Sequence, residues 1–138
     1  MTATPGARGS AVTVVGSSCS IPRPNRACSC YLVRGPAHAI AFDMGTGAFS
    51  KLRSHIVPEE LDAVVISHMH PDHFLDVIPL RYALRYGPRT TDRRLVLYLP
   101  PGGEAMLRRI ATAFAREGDD DYLEEVYDVR TYDPAAPL

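Results

Sequence analysis

The strongest constraint on this chain is a junction. The short, nearly all-apolar segment Leu61-Asp62-Ala63-Val64-Val65-Ile66 runs directly into Ser67-His68-Met69-His70-Pro71-Asp72-His73. A run of this length and β-branched content reads as a strand covered on both faces inside a sheet. Ligand-holding groups in α/β folds gather just beyond the carboxyl ends of such strands, where these histidines fall. His68 and His70, two apart in an extended segment, point the same way and can share one ion, while Asp72 and His73 on the following turn can reach a second. Imidazole nitrogen and carboxylate oxygen suit borderline metals such as zinc, at about 2.0–2.2 Å. Two ions about 3.5–4 Å apart can activate a water and stabilise both attacking and leaving oxygens. The plainer account makes the cluster accidental, with Asp72 accepting hydrogen bonds at a helix start. It leaves unexplained why three of five histidines fall within six residues. The His-Glu-x-x-His type of zinc site is excluded by spacing, because its ligands lie four apart on a helix.

The flanking sequence supplies a sheet. Residues 11–16 (Ala-Val-Thr-Val-Val-Gly) form a strand, and residues 17–27, with two prolines and Asn25, a loop. Strands at 29–34 and 38–43 flank Gly35-Pro36 as a hairpin. After the glycine loop Met44-Gly45-Thr46-Gly47, Phe49, Leu52 and Ile56 recur at helical spacing over 48–56, and Pro58 ends that helix. A helix of about three turns runs from Phe74 to Gly87-Pro88, with Pro79 kinking it or in its first turn. A strand at 94–99, the turn Pro100-Pro101-Gly102-Gly103, a helix at 104–116 with Met106, Leu107, Ile110 and Phe114 inward, and a strand at 126–132 complete the order. The expected architecture is α/β with a mixed sheet and flanking helices. Residues 1–10 read as a flexible leader and 11–138 as one structural unit, with no internal repeat.

Composition removes several function classes. At 138 residues, 46% apolar and 22% charged, the chain is sized for one ordinary domain. A formal charge of −1 provides no single-signed field for nucleic acid or an anionic membrane. No apolar run is long enough to span a membrane and no signal peptide is visible, so a cytoplasmic location is the default expectation. Cys19, Cys28 and Cys30 are odd in number, and Cys28-Ser29-Cys30 has one intervening residue where zinc or redox pairs usually have two. They read as small buried or loop thiols in a reducing compartment.

His-x-His-x-Asp-His after an apolar strand, with Asp43-Met44-Gly45-Thr46-Gly47 closing an earlier one, resembles the metallo-β-lactamase superfamily. The opening Val12-Thr13-Val14-Val15-Gly16-Ser17-Ser18, the later Tyr31-Leu32-Val33 and the stretch Phe74-Leu75-Asp76-Val77-Ile78-Pro79-Leu80 look most like its ribonuclease Z-like branch. That branch includes bacterial cyclic-nucleotide phosphodiesterases. The resemblance covers Val12 to about Pro134 and corresponds to the N-terminal half of an αββα sandwich. It implies that His68 and His70 hold one zinc and that Asp72 and His73 hold the other, two ions per complete site. It also implies that Asp72 accepts a proton from the attacking water. Asp43 matches an aspartate that steadies the histidine loop, for a physical reason: ligand imidazoles need their second nitrogen fixed.

The family draws a further histidine, a bridging aspartate and a last histidine from its second half, whereas this chain has no histidine after His73. The expectation is therefore a half site, in a fragment, a split half, or a half that pairs with another copy, with one apolar sheet face left uncovered. The leading function is a two-zinc phosphodiesterase acting on a cyclic nucleotide or other nucleotide or RNA phosphodiester. The small nucleotide is favoured because RNA needs several phosphate contacts. Its rivals are a thioester or lactam hydrolase and a catalytically silent metal-binding half-domain.

Substrate-binding residues are unassigned. Arg81 and Arg85, four apart on a helix, with Arg89, Arg93 and Arg94 following, could grip a phosphate. A solvated face paired with carboxylates is the plainer reading, as for Arg108 and Arg109. His38 and His55 read as surface or capping residues. The Gly45-Thr46-Gly47 loop reads as a tight turn needing positive φ rather than a phosphate cradle.

Overall fold

The computed structural model describes residues 9–88 and 91–137. Most of the proposed leader, together with Arg89 among the candidate phosphate-binding arginines, lies outside the described residues. The element order is β1 (Ala11–Gly16), β2 (Cys30–Arg34), β3 (Ala39–Phe42), α1 (Ala48–Leu52), a 3-10 turn (Pro58–Glu60), β4 (Ala63–Val65), α2 (Pro71–Phe74), α3 (Val77–Tyr86), β5 (Leu95–Leu99), α4 (Gly103–Thr112) and β6 (Tyr127–Thr131). The strands form one six-stranded sheet in chain order. β1, β2 and β3 pair antiparallel, and β3 to β6 pair parallel. The hairpin at Gly35 is closed by its amide donating to the His38 carbonyl at 2.8 Å.

Each parallel step moves one strand along in the same direction, so crossovers of one hand place the helices on one face. On that face Leu32, Ala41, Val64, Leu97 and Val129 stand in register across five strands. Phe49 and Leu52 of α1, Phe74 of α2, Val77 and Leu80 of α3, and Leu107 and Ala111 of α4 close over them as one core. The opposite face carries Val12, Val33, Ile40, Ala63 and Val96 in one row and Val14, Tyr31, Phe42, Val65 and Tyr98 in the next. Val12 and Val14 are 65% and 60% exposed there, and Tyr31 and Phe42 are also open to solvent. An apolar sheet face of this extent marks a packing surface. Among the described residues, no helix is long and apolar enough to cross a membrane.

Three expectations are corrected. The helix foreseen from Phe74 is two: α2 starts at Pro71, and the chain turns at Leu75-Asp76 before α3, with Pro79 in the first turn of α3. The break has a cause, since the Asp76 amide donates to Met44 O at 2.9 Å and its carboxylate accepts from the Phe49 amide at 2.9 Å, capping α1 instead of extending α2. The helix foreseen at 104–116 stops at Thr112, leaving Phe114 exposed rather than inward.

The third correction is Arg81, which is neither a solvated residue nor free to grip phosphate. It is 2% exposed, its Nε donates to Tyr122 O at 2.8 Å, its Nη2 pairs with Glu125, and its guanidinium lies 3.6 Å from the Tyr122 ring centre. Arg85 also reaches Glu125, Arg93 pairs with Asp62, and Arg108 pairs with Glu104 and Glu124. Exposed pairs of this kind hold arginines in place while adding little stability.

Candidate metal centre

The C-terminal ends of β1, β3, β4, β5 and β6 share one edge of the molecule, because β1 is antiparallel to β2, which is antiparallel to β3. The histidine run leaves β4 at that edge. Beside it, β3 ends and Asp43 adopts φ +61°, a left-handed conformation rare for a side-chain-bearing residue, though Asp and Asn bear it better than most. That twist turns a buried carboxylate under the run.

Asp43 Oδ1 accepts the Ser67 amide at 2.8 Å. Its Oδ2 accepts Ser67 Oγ–H and Ser29 Oγ–H at 3.0 Å each and the His73 Nδ1–H at 2.6 Å. With the Ser67 hydroxyl proton committed to Asp43, its oxygen accepts from His68 Nδ1 at 3.1 Å. Both imidazoles therefore spend Nδ1 on the protein and keep Nε2 as the free lone pair, the tautomer a metal ligand needs. The Met44 amide donates to His73 O at 2.7 Å and the Ser29 amide to Asp72 O at 3.1 Å, tying the loop's backbone down.

The four sequence-designated residues are gathered, though not all at ligand spacing. The His68 ring lies 4.8 Å from that of His70 and 4.0 Å from that of His73, centre to centre. Asp72 Oδ2 stands 3.5 Å from His73 Nε2. Among the described residues, no three His, Cys, Asp or Glu side chains converge tightly enough to hold an ion. Imidazole nitrogen and carboxylate oxygen are the donor types that suit zinc.

Gly45 shows why the preceding loop is glycine-rich. A Cβ there would overlap the Asp72 carbonyl oxygen and crowd the Cys28 side chain. Gly47, at φ +80°, begins α1. Sequence reasoning missed Ser29 and Ser67, the hydroxyls that orient Asp43. It also missed Tyr132, whose hydroxyl lies 2.9 Å from Ser67 O and 3.1 Å from Ile66 O. Ser67 precedes the motif and could have been found there; Tyr132 comes from 65 residues downstream and has no local signal. His38 is exposed and stands 3.7 Å from Asp62, and the His55 carbonyl accepts from Arg34.

The model of the metallo-beta-lactamase superfamily matches residues 23–133. The chain belongs to that superfamily. It is 41% identical over 76 residues to the probable metallo-hydrolase YhfI of Bacillus subtilis, covering 55% of this chain and 31% of that protein. It is 30% identical over 103 residues to ribonuclease Z of Salinibacter ruber, covering 74% and 31%. The crystal structure of YhfI superposes with a TM-score of 0.77 at 27% identity, covering 92% of this chain and 48% of that one. Human tRNase Z, short form, shares the fold with a TM-score of 0.69 at 21% identity, covering 88% and 44%. These neighbours fit the ribonuclease Z-like branch, and the chain spans less than half the length of each.

Proposed function

We propose that this chain contributes the first half of a two-zinc phosphodiesterase site acting on a cyclic nucleotide or another nucleotide or RNA phosphodiester. The observation that carries the reading is the paired Nδ1 engagement of His68 and His73, which directs both free nitrogens to ligation. His68 and His70 would hold one ion, and Asp72 and His73 the other. When bound, the ions supply positive charge that acidifies a water and offsets charge developing on the phosphoryl oxygens. Asp72 accepts the proton of the water that attacks phosphorus. Asp43 keeps the His73 ring fixed through that exchange.

The remaining ligands come from the partner that covers the open sheet face, either a second half of the domain or another copy of this chain. Two observations support this: the donors present do not complete a site, and the aligned region covers less than half of each of these relatives. A small nucleotide is preferred to a long RNA because Arg81, Arg85, Arg93 and Arg108 are committed to carboxylates rather than arrayed for phosphate contacts. Tight, salt-sensitive RNA binding by the complete protein would reverse that preference.

The test is hydrolysis of bis(p-nitrophenyl) phosphate and cyclic AMP by zinc-treated protein, alone and mixed with the C-terminal half of YhfI, beside an acyl thioester and a β-lactam. Phosphodiester turnover that falls by about 10²–10⁴-fold in Asp72→Asn supports the proposal. Turnover of the acyl substrates alone selects a thioester or lactam hydrolase. Zinc binding and dimerisation with no hydrolysis select a silent half-domain.

A further inference from the structure

Cys28 borders the candidate metal centre, and Cys19 lies beside Cys28. Cys28 is wholly buried, Cys19 is exposed, and Cys28 Sγ lies 3.5 Å from the Cys19 carbonyl oxygen. Residues 17–27 leave β1 and return beside it, so the ends of the loop are bound together: Ser18 bridges Cys28, and the Ser18 amide donates to Ala27 O at 2.9 Å. Cys19 is one residue past that bridge. A carbonyl oxygen sits about 2.4 Å from its own Cα by standard bond lengths, which brings Cys28 Sγ within about 5.9 Å of the Cys19 Cα. A disulfide needs the two Cα atoms about 4.4–6.8 Å apart, and Cys19 directly follows Ser18, which is bridged to Cys28.

Cys30 is placed differently. It lies in β2 opposite Gly16, inside the core; burial raises the thiols of both Cys28 and Cys30, that of Cys30 to about 12. One thiol of the three is reachable from solvent, and it has one buried neighbour to resolve it.

We propose that Cys19 and Cys28 are an oxidisable pair that closes to an intrachain disulfide on exposure to a peroxide, sparing Cys30. A peroxide ROOH transfers one oxygen to Cys19 Sγ, giving a sulfenic acid and ROH. Cys28 Sγ then attacks that sulfur; the S–O bond breaks, and the hydroxide leaves with the Cys28 proton as water. The two thiols lose two electrons and two hydrogens, the peroxide is reduced to ROH and water, and a dithiol reductant reverses the change. The Cys28 amide donates to Thr46 O at 3.0 Å and the Ser29 amide to Asp72 O at 3.1 Å. The new bond therefore fastens residues 17–27 to the backbone that carries the glycine loop and Asp72.

The experiment treats the whole chain with hydrogen peroxide, blocks remaining thiols with N-ethylmaleimide after unfolding, and maps peptides without reduction. Trypsin cuts between Arg26 and Ala27, separating Cys19 from Cys28, and fragment ions distinguish Cys28 from Cys30. The expected result is a monomer carrying one Cys19–Cys28 link, with Cys30 alkylated, the link vanishing on dithiothreitol treatment. Cys19→Ser, an exposed substitution, should leave Cys28 and Cys30 both alkylatable after the same treatment. The proposal is overturned if Cys19 stays a thiol, ends as sulfinic or sulfonic acid, links to another chain, or pairs with Cys30.

Discussion

Asp43 and His73, 30 residues apart in sequence, meet at 2.6 Å between Oδ2 and Nδ1, joining the end of β3 to α2, the short helix after β4. The contact holds one imidazole in a single tautomer and anchors it to a carboxylate that also holds Ser67 and Ser29. Asp43→Asn keeps the shape and tolerates φ +61°, so the backbone should hold. An amide, however, cannot accept all the bonds the carboxylate accepts. Zinc affinity, read by competition with a chelating dye, should fall about 10–100-fold while far-ultraviolet circular dichroism stays the same.

Gly45 predicts a structural effect with a functional readout. Gly45→Ala places a methyl group against the Asp72 carbonyl and the Cys28 side chain, a backbone neighbour that cannot swing aside. Overpacking of this kind costs about 1–3 kcal/mol. Urea unfolding should show that loss, together with weaker zinc binding, because Asp72 moves with its carbonyl.

Arg81 and Arg85 should separate cleanly. Arg81→Ala leaves Tyr122 O without its donor and Glu125 with Arg85 alone, and should cost about 1–3 kcal/mol. Arg85→Ala removes a half-exposed partner of the same carboxylate and should cost under about 1 kcal/mol. Thermal unfolding compares them. An Arg81→Ala protein as stable as the parent but weakened in phosphate binding would restore the ligand role that the structure removes.

Asp76 predicts a pH dependence. Burial raises its pKa, opposed by the amide donors at Phe49, Gly47 and Ala48. A carboxyl whose folded pKa lies above its unfolded value favours the folded state fully below the unfolded pKa, and this contribution is lost as pH rises through the folded pKa. Asp76→Asn, uncharged throughout, should gain stability relative to the parent as pH rises from about 4 toward neutrality, because the parent then carries a buried charge. Melting curves across that range check the sign.

The fold was legible where the signal is local. All six strands lie close to where alternation and β-branched runs placed them, and the apolar run before His68 located β4 and the edge from which the histidine run leaves. Asp43 was legible because it stands in a motif. Arg81 was not, because the residues that bury it, Tyr122 and Glu125, lie 41 and 44 positions away. The division between α2 and α3 was hidden for the same reason: Asp76 is taken by Met44 and Phe49, contacts that helical periodicity cannot report.

The central claim is that His68, His70, Asp72 and His73 are real ligands of an incomplete site. Zinc titration of the 138-residue chain, with bound metal counted by native mass spectrometry, tests it most directly beside His68→Ala and His73→Ala. The account predicts weak binding of at most one ion per chain, weakened in each variant and strengthened when the open sheet face is covered by a second half. Two tightly held ions per isolated chain, or binding indifferent to both substitutions, would contradict it.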